Sequence, residues 1–334
     1  MGNVRTAFAI SALAAAAAQV QAQDLNQTIV GCVDVECPVS STSNVDDNCT
    51  VADTGSFIYV GLTRVPTDND ALSGLSWSKG FNVGSSDNKR EFQSTFYLGT
   101  PPDLQLDNST GACAVFLHGA SRNLAFPGDN HETAQGTCAD AMGSSCVDAL
   151  VSRARTLVNG YNSGSERLSV SEACSRLQSD LEDSKDEACA RISEGHWSNF
   201  TSAALTGEDA SQPISQQQNS SSTCWPVIPK QDDLTLVSQY NYTGDTTFND
   251  LEKAMWAITP IITVFYSAGN GSLVTETEAS MSCIKVVGPP RASLSTINNG
   301  SSDDDGNGAV GLSSSQSMLS AALLAAVAAF FIGI

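Results

Sequence analysis

The sequence predicts an α+β fold: an antiparallel β-sandwich with an inserted two-helix hairpin, stapled by disulfide bonds. Three observations support this fold class. Apolar and polar residues alternate early and late in the chain, apolar residues recur at three and four residues in the middle, and ten cysteines are spread along the chain. Alternation is typical of a half-buried strand and the three-four spacing of an amphipathic helix, so strands precede and follow a helical pair.

The first strands fall within residues 56–118. The segment "SFIYVGLTRV" is apolar on both faces and predicts a buried strand that ends at Pro66. The next strand alternates, which places one face on a core and the other in water. Its apolar positions are Leu75, Trp77, Phe81 and Val83. Beyond the polar turn "GSSDNK", the segment "REFQSTFYLG" predicts the second strand of a hairpin, and "ACAVFLH" predicts a further buried strand.

Residues 137–195 predict the helical hairpin. Apolar residues recur at three and four from Val147 to Val158, and Asn159-Gly160 ends this first helix. Ser169 and Glu172 form a capping-box pattern that opens the second helix, which we expect to end at Gly195. The link "NGYNSGSER" is short enough to fold the two helices antiparallel. A separate helical domain is the alternative to an insertion.

The ten cysteines predict up to five disulfide bonds, as is typical of a secreted chain. Cys138 and Cys189 are equally far from the link between the helices, so continuous helices would bring them level. Cys146 and Cys174 differ by seven residues in the same count, which is roughly 10 Å of helix rise and beyond disulfide reach. We therefore predict a Cys138–Cys189 bond, unless the first helix begins later, near Gly143.

The strand period returns after the low-complexity segment "SQPISQQQNSSST". The residues predicted to share one apolar face are Leu234, Leu236, Tyr240 and Tyr242. The glycosylation acceptor Asn241 lies on the opposite, polar face. The segments "PIITVFYS" and "EASMSCIKVV" then predict a final hairpin with Asn270 at its tip.

The beginning of the chain has the pattern of a secretory signal peptide. Arg5 precedes an apolar stretch at residues 7–18, and Val20-Gln21-Ala22 offers small residues at the cleavage positions. We therefore expect residues 1–22 to be removed. The ectodomain then comprises residues 23–291, and residues 292–307 form a Ser/Asn/Asp/Gly stalk without core residues.

The end of the chain has the pattern of a glycosylphosphatidylinositol (GPI) attachment signal. Residues 318–334 are apolar and uncharged, and a polar spacer separates them from the small residues Asn307, Gly308 and Ala309. We predict attachment at Asn307, with Gly306 as the second choice, and removal of residues 308–334 as a propeptide. A single-pass anchor is the alternative, but basic flanking residues are missing.

Composition and sequons agree with an extracellular destination. The 16 basic and 36 acidic residues give a net charge of −20, which repels nucleic acid and anionic lipid. Eight Asn-x-Ser/Thr sequons predict solvent-facing glycans. The candidate asparagines are Asn26, Asn48, Asn108, Asn199, Asn219, Asn241, Asn270 and Asn299.

The sequence contains no motif that names a reaction. The nucleophile elbow, the phosphate-binding loop, the dinucleotide fingerprint and the zinc-protease motif do not occur. The best polar constellation is His118 together with Asp129, His131 and Glu132, but a polar loop beside a strand gives the same residues. We therefore predict no catalytic residue, no cofactor and no metal ligand.

The signal peptide, cysteine-rich glycosylated ectodomain, stalk and uncharged tail together resemble the GPI-anchored surface proteins of filamentous fungi. This resemblance is architectural and covers mainly residues 1–22 and 292–334. It implies a non-enzymatic cell-surface glycoprotein with a wall-structural, adhesive or recognition role. Its expected partners are the GPI lipid of the outer leaflet and cell-wall polysaccharide. The alternative is a carbohydrate-active enzyme or lectin, with Trp77, Trp197 or Trp225 stacking on sugar rings.

Overall fold

In the computed structural model of the chain, the described residues are 28–32, 34–35, 49–86, 89–120, 123–162, 168–194 and 197–288. They belong to the first of two units, Met1–Leu294 and Ser295–Ile334. Their strands are β1 (Cys49–Val51), β2 (Gly55–Phe57), β3 (Tyr59–Arg64), β4 (Ser76–Ser86), β5 (Lys89–Thr100), β6 (Thr110–Leu117), β7 (Phe200–Ala204), β8 (Asp233–Gly244), β9 (Thr259–Ser267) and β10 (Glu278–Ile284). Their helices are α1 (Cys138–Met142), α2 (Ser144–Asn162), α3 (Val170–Glu182), α4 (Ala190–Ser193), α5 (Gln216–Ser220) and α6 (Phe248–Met255), with short 3-10 turns at Asp70–Leu72 and Glu187–Cys189.

Two four-stranded antiparallel sheets pack face to face. The first sheet has the order β3-β4-β5-β8 and the second has the order β10-β9-β6-β7. Trp77 of β4 packs edge-on against Phe116 of β6, with ring centroids 5.5 Å apart. The same indole Nε1 donates a hydrogen bond to Thr263 Oγ1 of β9 at 3.1 Å. The inner faces therefore share one core, and the predicted antiparallel sandwich is confirmed.

The helices cover the outer face of the second sheet. Helix α2 contacts β9 and β10, and α3 contacts β6 and β7. Their apolar stripes are buried in the same cluster as the sheets, because the three-four spacing directs one face of each helix to the strands. The Ser169/Glu172 capping box is present at the start of α3. The helical segment lies between the paired strands β6 and β7, so it is an insertion into the sandwich.

Strand β8 differs from its predicted alternation at one point. Its pairing with β5 shifts by one residue, which leaves Val237 as an extra residue in β8. Such a bulge reverses the faces on which side chains lie. Leu234 and Leu236 therefore pack in the cluster on the outer face of the first sheet, whereas Tyr240 and Tyr242 lie on the inner face. The prediction that all four share a face was wrong.

Four disulfide bonds join described cysteines: Cys49–Cys224, Cys113–Cys174, Cys138–Cys283 and Cys146–Cys189. Cys32 is buried and bonded to no described cysteine, and Cys37 lies outside the described residues.

The predicted Cys138–Cys189 bond was wrong because neither helix is continuous. Gly143, with φ +85°, separates α1 from α2, so Cys138 turns toward β10. The second helix ends at Glu182, and Cys189 lies in a separate 3-10 turn beside Cys146. Counting residues along an unbroken helix therefore misplaced both cysteines.

Candidate functional site

The structure separates His118 from the other members of the predicted polar constellation. His118 is 6% exposed, stacks on Tyr240 with ring centroids 3.9 Å apart, and shares a 3.0 Å hydrogen bond between Nε2 and Thr201 Oγ1. Burial first, and then the charge of Lys79, lower the pKa of His118 to about 3. Burial therefore favours the neutral imidazole, which stacks between aromatic rings as part of the core.

Glu132 is buried against Lys285, while Asp129 and His131 have exposed side chains. The Lys285 ammonium donates to the backbone carbonyls of His131 at 2.5 Å and Glu132 at 2.9 Å. Burial raises the pKa of the Glu132 carboxyl, and the nearby Lys285 charge opposes this effect. Burial likewise lowers the pKa of Lys285 to about 8. The pair joins the loop before α1 to the end of β10.

Lys79 is a second buried lysine, located on β4 at the centre of the sandwich. It is 1% exposed, and its Nζ donates to the backbone carbonyl of Ala257 at 2.8 Å and to Thr259 Oγ1 at 3.1 Å. Burial, followed by repulsion from Lys285, lowers the pKa of Lys79 to about 7. Its ammonium also lies 5.7 Å from the centre of the Phe96 ring. Lys79 therefore bonds β4 of the first sheet to the start of β9 in the second.

Sequence reasoning missed Lys79, although a signal was present. Lys79 lies two residues after Trp77 and two before Phe81, so it occupies the apolar phase of the alternating strand. A charged residue in that phase is either buried with partners or marks a break in the pattern. Lys285 carried the same kind of signal, because it follows Ala279, Met281 and Cys283 at alternate positions of its predicted strand.

These buried groups have perturbed pKa values, but their hydrogen bonds show that each group has a structural reason to be buried. The two ammonium groups satisfy backbone carbonyls of irregular segments, which would otherwise be buried without donors. The three surface cavities described for the molecule are lined by other residues. We therefore assign a structural, stabilising role to the two buried lysines and His118.

The largest of these cavities is a groove of about 630 Å³ between the loop after β3, the start of β10 and helix α2. Asp68, Asp70, Glu278 and Arg155 line it. The Glu278 carboxylate accepts a 2.7 Å hydrogen bond from Asn69 Nδ2, which holds it in place. A groove of about 340 Å³ adjoins it through Arg155 and extends along Glu276. Both offer acceptors for a polar ligand.

Of the three tryptophans proposed for sugar stacking, two are buried and one is half-buried. Trp77 is fully buried, and Trp197 is 6% exposed. Trp225 is half-buried, and its Nε1 donates to the Asp232 carbonyl at 3.1 Å. Phe265, the aromatic residue that lines the larger groove, is also buried. The groove therefore has carboxylates without the aromatic platform that sugar-binding sites use.

The sequons have a common placement on the molecular surface. The five described acceptors are all exposed: Asn108, Asn199, Asn219, Asn241 and Asn270. They lie in a loop, at the start of β7, on α5, on the edge strand β8 and in the turn between β9 and β10. Asn26, Asn48 and Asn299 lie outside the described residues, as does the predicted attachment residue Asn307.

Within the described ranges, no group of three or more His, Cys, Asp or Glu side chains is placed to hold a metal ion. In the same ranges, no helix combines the length and apolar character needed to cross a bilayer. The chain matches no protein-family model, no curated protein and no solved structure.

Proposed function

We propose that the chain is a GPI-anchored extracellular cell-surface glycoprotein without catalytic activity, which serves in wall structure, adhesion or recognition. Its partners would be the GPI lipid of the outer leaflet and cell-wall polysaccharide. The mechanism is display: a disulfide-stapled sandwich carries glycans and acidic charge, and the stalk at residues 292–307 gives it reach. The single observation that carries the proposal is the exposure of all five described sequon asparagines.

The disposition of the disulfides supports the same proposal. Four disulfide bonds join described cysteines in pairs. Disulfide bonds persist in oxidising compartments such as the secretory pathway. The buried titratable groups support a non-enzymatic role, because Lys79 and Lys285 are occupied by backbone carbonyls. These observations favour a stable scaffold that displays its surface.

The anchor is tested by expressing the full chain in a eukaryotic cell and treating intact cells with a phosphatidylinositol-specific phospholipase. We expect release of the ectodomain with the glycan and inositol phosphate of the anchor as a residual mass on Asn307. Asn307→Gln should block attachment at that residue, whereas Asn307→Ser, which keeps a small side chain, should preserve it. A cell-bound polypeptide that still ends in Ile334 and resists the enzyme would overturn the anchor.

The groove beside Arg155 favours one second candidate, a lectin or carbohydrate-active enzyme. Its carboxylates and guanidinium could accept and donate hydrogen bonds to sugar hydroxyls. Binding of the secreted ectodomain to a glycan array, compared with a Glu278→Gln variant, tests this alternative. Binding that the variant loses supports the lectin, and an array signal at background for both supports the display role.

A further inference from the structure

Two Asn-Gly dipeptides lie within the described residues, and their surroundings differ. Asn270-Gly271 is in the turn between β9 and β10, and Asn159-Gly160 is near the end of α2. Asparagine followed by glycine is the dipeptide most prone to deamidation, because glycine has no side chain to hinder attack by its own backbone nitrogen. The conformation of each dipeptide decides whether that attack can occur.

The Asn270 turn is held at its base and open at its tip. Ala268 and Gly269 donate their backbone N–H groups to the Ser109 carbonyl, each at 2.9 Å, and Leu273 N–H donates to Thr110 Oγ1 at 2.8 Å. Between these contacts, Asn270 and Gly271 are exposed, and Gly271 has φ +89°. The Gly271 N–H makes no hydrogen bond to another described residue. The attacking nitrogen is therefore free to approach the Asn270 side chain.

In the Asn159-Gly160 dipeptide, both the attacking backbone nitrogen and the side chain that it would attack are constrained. Its backbone is helical, where the N–H of each residue is bonded to the carbonyl four residues earlier. The Asn159 side chain is also held, because its Oδ1 accepts a 2.6 Å hydrogen bond from Thr277 Oγ1. It therefore provides an internal control with the same Asn-Gly dipeptide in a constrained conformation.

We propose that Asn270 is a site of spontaneous deamidation that an N-linked glycan blocks. In the bare turn, the Gly271 nitrogen bonds to the Asn270 side-chain carbonyl carbon, and the side-chain nitrogen leaves as ammonia. Water then opens the resulting succinimide to aspartate or isoaspartate, so one amide and one water give one carboxylic acid and one ammonia. The blocking role rests on the glycosylation in the proposed function, whereas the reactivity of the bare turn does not.

The glycan blocks the reaction for two reasons. The Asn270-Gly271-Ser272 sequon places the sugar on the nitrogen that would have to leave, and the sugar ring occupies space beside the carbonyl carbon. In the bare protein, isoaspartate would lengthen the backbone of the turn and add a negative charge near the groove lined by Ser267 and Thr275. The sequon thus preserves the geometry of this turn.

The test compares three samples by peptide mass spectrometry during incubation at mildly alkaline pH. They are the wild-type chain secreted by a eukaryotic cell, the wild-type chain from a bacterial periplasm without N-glycosylation, and a secreted Ser272→Ala variant. Glycans are trimmed with an endoglycosidase that leaves one sugar, because the amidase that removes the whole glycan itself converts asparagine to aspartate. The periplasmic sample keeps Ser272, whose Oγ also lies 3.3 Å from the Val274 nitrogen.

We expect Asn270 to deamidate at least about tenfold faster than Asn159 in both unglycosylated samples and to remain intact under its glycan. The two sites should react alike after denaturation, since the fold alone distinguishes them. Equal deamidation rates at Asn270 and Asn159 in the folded, unglycosylated protein would contradict the proposed reactivity of the Asn270 turn. A secreted wild-type chain that is bare and deamidated at Asn270 would overturn the blocking role and leave the reactivity standing.

Discussion

The two faces of the second sheet are held by different chemistry. On the inner face, large buried side chains make the contact with the first sheet, as Trp77 does with Phe116 and Thr263. On the outer face, disulfide bonds attach the helices in addition to their buried apolar stripes, as Cys113–Cys174 does between β6 and α3. None of the four described disulfides crosses between the two sheets.

This difference indicates which part of the fold depends on disulfide bonds for its stability. Helices of 19 and 13 residues are marginal on their own and depend on a narrow apolar stripe. The sheet interface buries several aromatic side chains, each worth about 1.5–3 kcal/mol. Two of the four described disulfides, Cys113–Cys174 and Cys138–Cys283, join this helical layer to strands of the second sheet.

The largest expected effect comes from opening the inner face. Trp77→Ala should lower the free energy of unfolding by about 3–5 kcal/mol, because it removes a fully buried indole and leaves Thr263 without its donor. Urea unfolding followed by circular dichroism measures the loss. Trp225→Ala, at a half-buried indole, is the control and should cost less. Equal losses would contradict the importance assigned to the inner face.

Removing a bond on the outer face should have the next largest effect. The Cys113→Ala/Cys174→Ala double variant should lose about 2–4 kcal/mol. Hydrogen exchange should accelerate in Val170–Glu182 while β4 and β5 stay protected, because the sandwich interior does not depend on this bond. Matching acceleration in both regions would show that the helical layer and the sandwich unfold together.

The buried lysine at the sheet interface should make stability depend on pH. Because the pKa of Lys79 is lowered to about 7 by burial, the folded state binds fewer protons than the unfolded state between that value and about 10.4. Stability should therefore rise with pH in this window, by about 2 kcal/mol between about pH 7 and 9, and Lys285 should add to the rise. Unfolding in urea at successive pH values measures the slope.

Two variants test whether Lys79 causes this dependence of stability on pH. Lys79→Met should reduce the slope to the part that Lys285 contributes, whereas Lys185→Met, at an exposed lysine, should leave it unchanged. Measurements should stop below about pH 10, because burial raises the pKa of Tyr97 and Tyr266 to about 12, and ionisation of unfolded tyrosine then opposes the rise. An unchanged slope in Lys79→Met would contradict the assignment.

The smallest expected effect lies at the start of α3. Ser169→Ala should cost about 1 kcal/mol, because Ser169 Oγ accepts a hydrogen bond from the Glu172 backbone N–H at 3.2 Å. Ser175→Ala, at an exposed position inside the same helix, should be neutral or slightly stabilising. Thermal unfolding of the two variants compares them directly, and equal melting temperatures would argue that the disulfide alone holds this helix.

The sequence by itself determined the parts of the fold that are encoded locally. The alternation around Trp77 predicts β4, the spacing from Val147 to Val158 predicts α2, and the Ser169/Glu172 pattern predicts the start of α3. Each signal extends over only a few turns or strand residues. Such signals depend on which side chains face the core, and that periodicity is visible without knowing what the element packs against.

Tertiary structure alone decided the disulfide partners, the bulge at Val237 and the partners of the buried lysines. Cys138 bonds to a cysteine 145 residues away, which no count within a hairpin can reach. Lys79 is tolerated in the core only because the Ala257 carbonyl and the Thr259 hydroxyl lie opposite it in the other sheet. The physical reason is the same in each case: a cross-link, a register shift or a buried charge is stabilised by groups that are distant in sequence and become neighbours only after the sheets have packed.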